Sequence, residues 1–337
     1  MGRTTVYHNG LVTAEKWERV NPDNKTLLSD FVGYLQSANK SSQTIQQYTA
    51  QLKIVFVFVM EQCENKFFVD LKKRDLIKFA GWLQNTLQVS PNRIATMKSV
   101  ISSLSAYIER VLDEEYPTFR NISNVIEVGA KEAVREKTIL SEDDINAGLE
   151  KLVAKGKFQA ACFMALLFAS GMRKAEAIQM RVDDFIGGKT VMNGIFYLTH
   201  KIRTKGRGKA GKVLAKYVSK ELFDRYLTLW IEERQKQGIE SEWLFVTKKE
   251  GQWACATIST ADSFADTISS VLDVRAYCHS FRHAWCTYCH RKGYPETIIQ
   301  KLQGWAGLDM VSLYNDIGDE EQLEDFFSTN NTDLKGE

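Results

Sequence analysis

Four short motifs follow one another in the second half of the chain, and together they decide its fold. They are Ser170-Gly-Met-Arg173-Lys-Ala-Glu176, a basic run from Lys201 to Lys220, His279-Ser-Phe-Arg282-His283, and Gln303-Gly-Trp305 with Tyr314 nine residues later. Arginine offers fixed, permanently charged donors to a phosphate, while tyrosine and histidine can serve as nucleophile and base. Each motif is a weak signal alone, but all four are improbable in this order by chance.

The order and spacing of these motifs resemble those of the tyrosine recombinases, the family of phage integrases, Cre and the Xer proteins. Trp305 stands where the third box of the family usually has histidine, a variant that Cre also has. The resemblance of the catalytic domain spans roughly residues 138–327. The residues that match the functional positions of the family are, in chain order, Arg173, Glu176, His279, Arg282, Trp305 and Tyr314.

The resemblance implies a role for each of these side chains. Arg173 and Arg282 would clamp the scissile phosphate, and Glu176 would orient the first arginine. His279 would hydrogen-bond the phosphate and accept the proton of the nucleophile Tyr314, since an unperturbed tyrosine titrates near pH ~10. The implied reaction is cleavage and rejoining of DNA through a 3′-phosphotyrosine intermediate.

Two further roles follow from the same resemblance. Trp305 would hold a phosphate oxygen through its indole N–H, which can donate but cannot relay a proton. The lysine of the family, a general acid toward the leaving 5′-oxygen, lies on a β-hairpin, and Lys205 is the first choice here. Lys201, Lys209 and Lys212 remain alternatives because hairpin registers slip easily by one or two residues.

No cofactor or metal is expected for this chemistry. A tyrosine that takes over the phosphate conserves the energy of the bond, and arginines can supply the charge that a metal would otherwise provide. The stretch Cys286-Thr-Tyr-Cys289-His290 does match haem-attachment spacing, and Cys278 with His279 lies just upstream. A helix with two small buried thiols is the preferred interpretation of this stretch.

Amphipathic patterns predict a mainly α-helical protein of two domains. Residues 1–21 form an N-terminal extension, 22–126 a helical core-type DNA-binding domain, 127–137 a linker and 138–337 the catalytic domain with a protomer-docking tail. In the first domain we expect four helices, at 26–38, from the Ser41-Ser42 cap, at about 70–86, and from Ser90-Pro91.

The catalytic domain is predicted to be mostly helical with a small antiparallel β-sheet. Strands at 195–200 and 212–218 would be joined by a basic, glycine-bearing turn, and helices would resume at Lys220 and continue to the end. Net charge is only +2, so any contact with a polyanion must be local. The candidate DNA-binding residues are Lys72, Lys73, Arg74, Arg93, Lys98, Lys201, Arg203 and Arg207.

The function that the resemblance implies is site-specific recombination of double-stranded DNA by a homotetramer, with accessory DNA-bending proteins left open. Leu323, Phe326 and Phe327 in the acidic tail would dock on a neighbouring protomer. No apolar run approaches the ~20 residues of a membrane span, so a cytoplasmic, nucleoid-associated protein is expected. The alternatives are a type IB topoisomerase, a DNA-binding regulator without catalysis, and a metal-binding protein.

Overall fold

The computed structural model describes residues 10–130, 138–204, 206, 211–272 and 274–317. These residues form two compact units, one before residue 131 and the other from residue 138 onward. The predictions for Lys205, Arg207, Lys209 and the tail beyond Ile317 lie outside the described residues. Among the helices that the model describes, none is both long and apolar enough to cross a membrane.

The first unit is entirely helical in its described part. Its helices are α1 (Ala14–Arg19), α2 (Pro22–Ser37), α3 (Ser42–Gln62), α4 (Lys73–Gly81) and α5 (Pro91–Val111). The predicted cap of α3 is present, because Ser41 accepts a hydrogen bond from Thr44 N. At α5 the chain places Ser90 at the N-cap and Pro91 at the first helical position, as predicted, but the Ser90 side chain makes no capping hydrogen bond. A π-helical turn at Trp82–Thr86 follows α4. The predicted third helix is thus shorter than 70–86.

Helix α1 lies within residues 1–21, the predicted N-terminal extension, for which no helix was expected. Thr13 caps it by accepting a hydrogen bond from Lys16 N, and none of its side chains is fully buried. Because it is six residues long and packs only the half-buried Trp17 on the core, it leaves no apolar periodicity in the sequence. The core of the unit lies instead between α2, α3 and α5, around Phe31, Phe56 and Leu104.

Gln51 is a polar residue in this apolar core. It lies on α3, is fully buried, and neither atom of its amide group has a hydrogen-bond partner among the described residues. Burying an amide without a partner costs free energy, so we expect Gln51→Met to raise the free energy of unfolding by about 1–3 kcal/mol. Chemical denaturation measures this, with exposed Gln46→Met as the control. A destabilised Gln51→Met would contradict the prediction.

The second unit is mainly helical, as predicted. Its helices are α6 (Glu142–Ala154), α7 (Phe158–Ser170), α8 (Lys174–Ala177), α9 (Lys220–Lys236), α10 (Ile258–Leu272), α11 (Cys278–Arg291), α12 (Glu296–Gln303) and α13 (Asp309–Tyr314). Helix α7 is buried along almost its whole length and packs against α9 and α11. Ser141 caps α6 in a reciprocal capping box with Asp144.

The strands of this unit are more numerous than expected. They are β1 (Thr190–Val191), β2 (Phe196–Leu198), β3 (Ile202–Thr204), β4 (Lys212–Leu214), β5 (Tyr217–Ser219), β6 (Val246–Lys249) and β7 (Gln252–Cys255). All the pairs are antiparallel, in the orders β1-β2-β5, β3-β4 and β6-β7. The expected pairing of 195–200 with 212–218 is partly correct, because β2 pairs with β5. The two strands are not joined directly, however, since β3 and β4 lie between them in the chain and pair with each other. Helices do not continue from Lys220 to the end, since the β6-β7 hairpin intervenes.

The end of α7 prepares the position of the functional motifs. Gly171 caps the helix in the left-handed conformation, with φ of +60°. A Cβ atom at this glycine would lie 2.3 Å from Gln303 Nε2 and 2.7 Å from the Trp285 ring. The chain can therefore turn here only without a side chain, and this turn brings Arg173 beside α11 and the end of α12.

Candidate active site

Arg173 and Glu176 are fixed to each other by the first turn of α8. Arg173 is the N-cap of this helix, and Glu176 Oε2 accepts a hydrogen bond from Arg173 N at 3.1 Å. Glu176 Oε1 accepts a second bond, from Arg173 Nη1, also at 3.1 Å. Glu176 is buried while the arginine side chain keeps 30% of its surface exposed. The acid therefore holds the guanidinium at the edge of the site.

Arg282 is completely buried on α11. Its Nη1 donates to Gly171 O at 2.7 Å and to Gln303 Oε1 at 2.9 Å. Its Nε and Nη2 are buried and have no hydrogen-bond partner among the described residues. Burial and the nearby charge of Arg173 lower the pKa of Arg282 to about 10, which leaves it protonated at neutral pH. The N–H groups at Nε and Nη2 of this buried cation are therefore available to bind an oxyanion.

Tyr314, His279 and Trp305 meet beside this guanidinium. Tyr314 Oη lies 3.1 Å from His279 Nε2, and only 4% of the tyrosine is exposed. Its ring stacks on Trp305, with 5.2 Å between centroids and 11° between planes. Arg282 Cζ lies 4.9 Å from the Trp305 ring and 5.0 Å from the Tyr314 ring. The Trp305 indole N–H is buried without a partner among the described residues, so it also can bind an oxyanion.

Strands β3 and β4 flank the segment that should carry the catalytic lysine, and both strands are hydrogen-bonded to residues next to this site. Gln179, just after α8, accepts from Arg203 N at 3.1 Å and donates to Arg203 O at 2.9 Å. Lys212 Nζ donates to Gly304 O at 3.2 Å, next to Trp305. Lys201 is exposed. The assignment of the lysine stays a prediction, because Lys205 lies outside the described residues.

The basic candidates of the first unit differ in exposure. Lys72, Lys73 and Arg74 are exposed at the start of α4. Lys98 is engaged within its own unit, because its Nζ donates to Ile126 O at 2.7 Å and to Asn124 O at 3.4 Å. Arg93 is half-buried. The first three therefore offer the freest charges to a polyanion.

Three side chains at the site, Gln303, Lys216 and His283, were not assigned a role from the sequence. Gln303 accepts a hydrogen bond from Arg282, and Lys216 forms an ion pair with Glu176. In the sequence, Gln303 stands out only as part of the third box and Lys216 only as part of the basic run. His283 packs on the Tyr314 ring, with 4.8 Å between centroids, and its Nδ1 lies 3.2 Å from Asp316 Oδ1. No local spacing marks these contacts.

The cysteine stretch that matches haem-attachment spacing is helical. Cys286 and Cys289 are buried in α11, and burial raises the pKa of the Cys286 thiol to about 12. In the part of the chain that the model describes, no group of three or more histidine, cysteine or acidic side chains could hold a metal ion. The thiols pack as small core residues, in agreement with the preferred interpretation.

The buried Glu176 gives a testable pH dependence. Burial alone would raise its pKa, but Lys216, the Arg173 N–H and the two arginines lower it below the ordinary value of 4.5. A lowered pKa in the folded state contributes stability above pH ~4.5, and this contribution disappears as the pH falls through the folded value. We expect Glu176→Gln to lower the free energy of unfolding by about 3 kcal/mol at pH 7.

The difference between Glu176→Gln and the wild type should shrink as the pH falls below about 4.5. Denaturation curves between pH 7 and pH 3 measure it, and exposed Glu221→Gln is the matched control. A difference that stays constant over this range would contradict the prediction.

The site as a whole places buried N–H donors, which could bind an oxyanion, next to a tyrosine hydroxyl. Residues 138–321 match the model of the phage integrase family, and residues 27–118 match that of the phage integrase N-terminal SAM-like domain. The chain therefore belongs to the phage integrase family of tyrosine recombinases, enzymes that catalyse DNA strand exchange. The predicted family and mainly α fold are confirmed.

Known relatives cover most of the chain. It is 31% identical over 282 residues to the SPbeta prophage-derived recombinase-like protein YomM of Bacillus subtilis (strain 168), covering 82% of this chain and 81% of that protein. It is 25% identical over 312 residues to the tyrosine recombinase XerA of Pyrococcus horikoshii, covering 90% and 92%. The solved structure of the XerH site-specific recombinase bound to a palindromic difH substrate has a TM-score of 0.64 at 18% identity, covering 91% and 96%.

Proposed function

We propose that this chain cleaves and rejoins DNA at specific sites through a 3′-phosphotyrosine at Tyr314, and that a homotetramer exchanges strands between two sites. The observation that carries the proposal is the 3.1 Å contact of Tyr314 Oη with His279 Nε2. Arg282, whose Cζ lies 5.0 Å from the Tyr314 ring, has buried donors without a partner among the described residues. A nucleophile, a base and a binding place for the transferred group therefore occupy one pocket.

The first step forms one bond and breaks one. Tyr314 Oη attacks the phosphorus and its proton passes to His279 Nε2. The bond from phosphorus to the 5′-oxygen breaks, and a hairpin lysine, for which Lys205 remains our choice, protonates that oxygen. Because the phosphate stays joined to tyrosine, the reverse of this step rejoins the strand without an external energy source.

The charge that develops in this step is carried by side chains. Arg173 and Arg282 donate to the non-bridging oxygens, and the Trp305 N–H supplies a third donor. Such donors stabilise the transition state because they are fixed in position before the reaction. Glu176 keeps Arg173 in place through its two hydrogen bonds. No step requires a metal.

We propose that double-stranded DNA contacts both domains, 22–126 and 138–337, joined by the linker 127–137. Lys72, Lys73 and Arg74 suit phosphate contacts because they are exposed, and the hairpin residues Lys201, Arg203 and Arg207 would follow the backbone near the reaction. Solved relatives include a XerH recombinase bound to difH and a lambda integrase dimer bound to a COC′ core site. Because DNA is its partner, the protein would be located in the cytoplasm, bound to the nucleoid. Accessory DNA-bending proteins would act on the same DNA.

Covalent capture of DNA tests the proposal. The purified protein is incubated with fragmented host DNA and denatured in SDS, and the DNA attached to it is recovered and sequenced. We expect recovered fragments to share one site. Two labelled duplexes carrying that site should then exchange strands, whereas a type IB topoisomerase would relax supercoils without exchanging partners. Capture without a shared site and without exchange would overturn the proposal.

A further inference from the structure

Lys216, which immediately precedes β5, is an unusual residue for a protein interior. Only 2% of its surface is exposed, although it carries an ammonium group. Its Nζ lies 3.3 Å from Glu176 Oε2 and donates to Gln303 O at 3.2 Å. Its backbone is held as well, because Lys216 N donates to Thr199 Oγ1 and Thr199 N donates to Lys216 O, both at 3.0 Å. A charge buried this deeply is retained at a cost, so its contacts call for an explanation.

The two partners of Lys216 lead to the two arginines of the site. Glu176 binds Arg173 through both of its carboxylate oxygens. Gln303 accepts from Arg282 through its side-chain oxygen and donates to Ser170 O through its side-chain nitrogen. The ammonium group of Lys216 therefore connects Glu176, which holds Arg173, with Gln303, which holds Arg282. Glu176 and Gln303 lie on two different helices, α8 and α12.

The charges around Lys216 are unbalanced. Arg173, Arg282 and Lys216 are cations, and Glu176 is the anion that the described contacts place among them. Burial lowers the pKa of Lys216, Glu176 opposes this effect, and the arginines add to the lowering. A bound phosphate would compensate the excess positive charge. The arrangement is thus electrostatically complete only when an oxyanion is present.

We propose that Lys216 is a positioning residue that sets the separation of the two arginine clamps, acting through Glu176 and Gln303. It does not touch the substrate itself, because its amino group is enclosed by protein. The inference rests on the proposed function, since it concerns the same phosphate pocket. Displacement of a catalytic group by about 1 Å can lower a rate by about 100-fold, so a device of this kind has a measurable effect.

The test compares Lys216→Met with Lys216→Arg and with the matched control Lys220→Met. Lys220 is the next lysine along the chain and pairs with Asp224 at the surface, outside the site. On a captured DNA site we expect Lys216→Met to slow covalent adduct formation at saturating DNA by about 10–100-fold, with the Kd for DNA within about threefold of wild type. Lys216→Arg should recover part of the rate, and Lys220→Met should match wild type.

A double variant separates positioning from a purely structural role. If Lys216 acts through Glu176, the combination Lys216→Met with Glu176→Gln should be no slower than the slower single variant. Additive losses would overturn the inference, as would a normal rate in a Lys216→Met protein with a lowered Tm.

Inorganic phosphate provides a readout that does not depend on DNA cleavage. We expect millimolar phosphate to raise the Tm of wild type and of Lys220→Met, and to raise that of Lys216→Met by clearly less. If wild type forms no covalent adduct, the proposed function fails, while this comparison still decides the role of Lys216. An equal phosphate effect in all three proteins would overturn the inference.

Discussion

Replacing Tyr314 with phenylalanine is expected to abolish covalent capture of DNA while leaving folding and DNA binding intact. The substitution removes only the hydroxyl oxygen that lies 3.1 Å from His279 Nε2. The ring keeps its stacking on Trp305, with the planes 11° apart, so the pocket should retain its shape. Loss of the nucleophile lowers a rate by on the order of 10⁴-fold or more, below detection in an adduct assay.

Tyr277 offers a matched control for this experiment. It is the N-cap residue of α11, and its ring packs against the guanidinium group of Arg275, with 5.4 Å between Arg275 Cζ and the ring centroid. Tyr277→Phe should therefore form adducts at a rate within a few-fold of wild type. If Tyr314→Phe formed adducts as readily as Tyr277→Phe, the nucleophile would have to be another residue.

Replacing Arg282 with lysine is expected to impair both stability and catalysis. Lysine keeps the charge, but a single ammonium group cannot bind Gly171 O and Gln303 Oε1 and also offer two further donors to a phosphate. Leaving buried acceptors without a donor should lower the free energy of unfolding by about 1–3 kcal/mol. Loss of a fixed donor to the transition state should lower the cleavage rate by about 10²–10³-fold.

Two comparisons give the Arg282 result its meaning. Arg291→Lys, on the exposed end of the same helix, should change neither quantity. Arg173→Lys should slow cleavage but leave stability nearly unchanged, because the Arg173 side chain is 30% exposed. Denaturation curves and single-turnover adduct formation measure the two effects. A fully active Arg282→Lys would exclude the proposed role of this guanidinium.

The helices were predictable where local chemistry defines them. Ser41 and Ser141 each accept a hydrogen bond from the first turn of a helix, and apolar residues then recur every three or four positions. Helix α1 lacked this signal because it is only six residues long and packs only the half-buried Trp17 on the core. The β6-β7 hairpin was missed because its turn, Glu250-Gly251, places glutamate at φ of +50°, where asparagine or glycine would be the usual signal.

The site was predictable where its members recur in fixed motifs. The resemblance to the family motifs pointed to Arg173, Arg282 and Tyr314, which the structure brings close together. Lys216 was not identified, because its partners lie 40 residues before it and 87 residues after it in the chain. Contacts of this kind arise when elements that are far apart in the chain pack together, and no periodicity or capping residue in the sequence indicates them.

The left-handed turn at Gly171 limits how the pocket can vary among descendants of this chain. Any Cβ atom there would collide with Gln303 and Trp285, which reach the glycine from two other helices. In a library of random substitutions selected for strand exchange, position 171 should tolerate glycine alone, while many neighbouring surface positions accept several residues. The three helices that meet at this glycine, α7, α11 and α12, would thus have to change together during evolution. New DNA specificities should therefore arise from substitutions elsewhere on the surface.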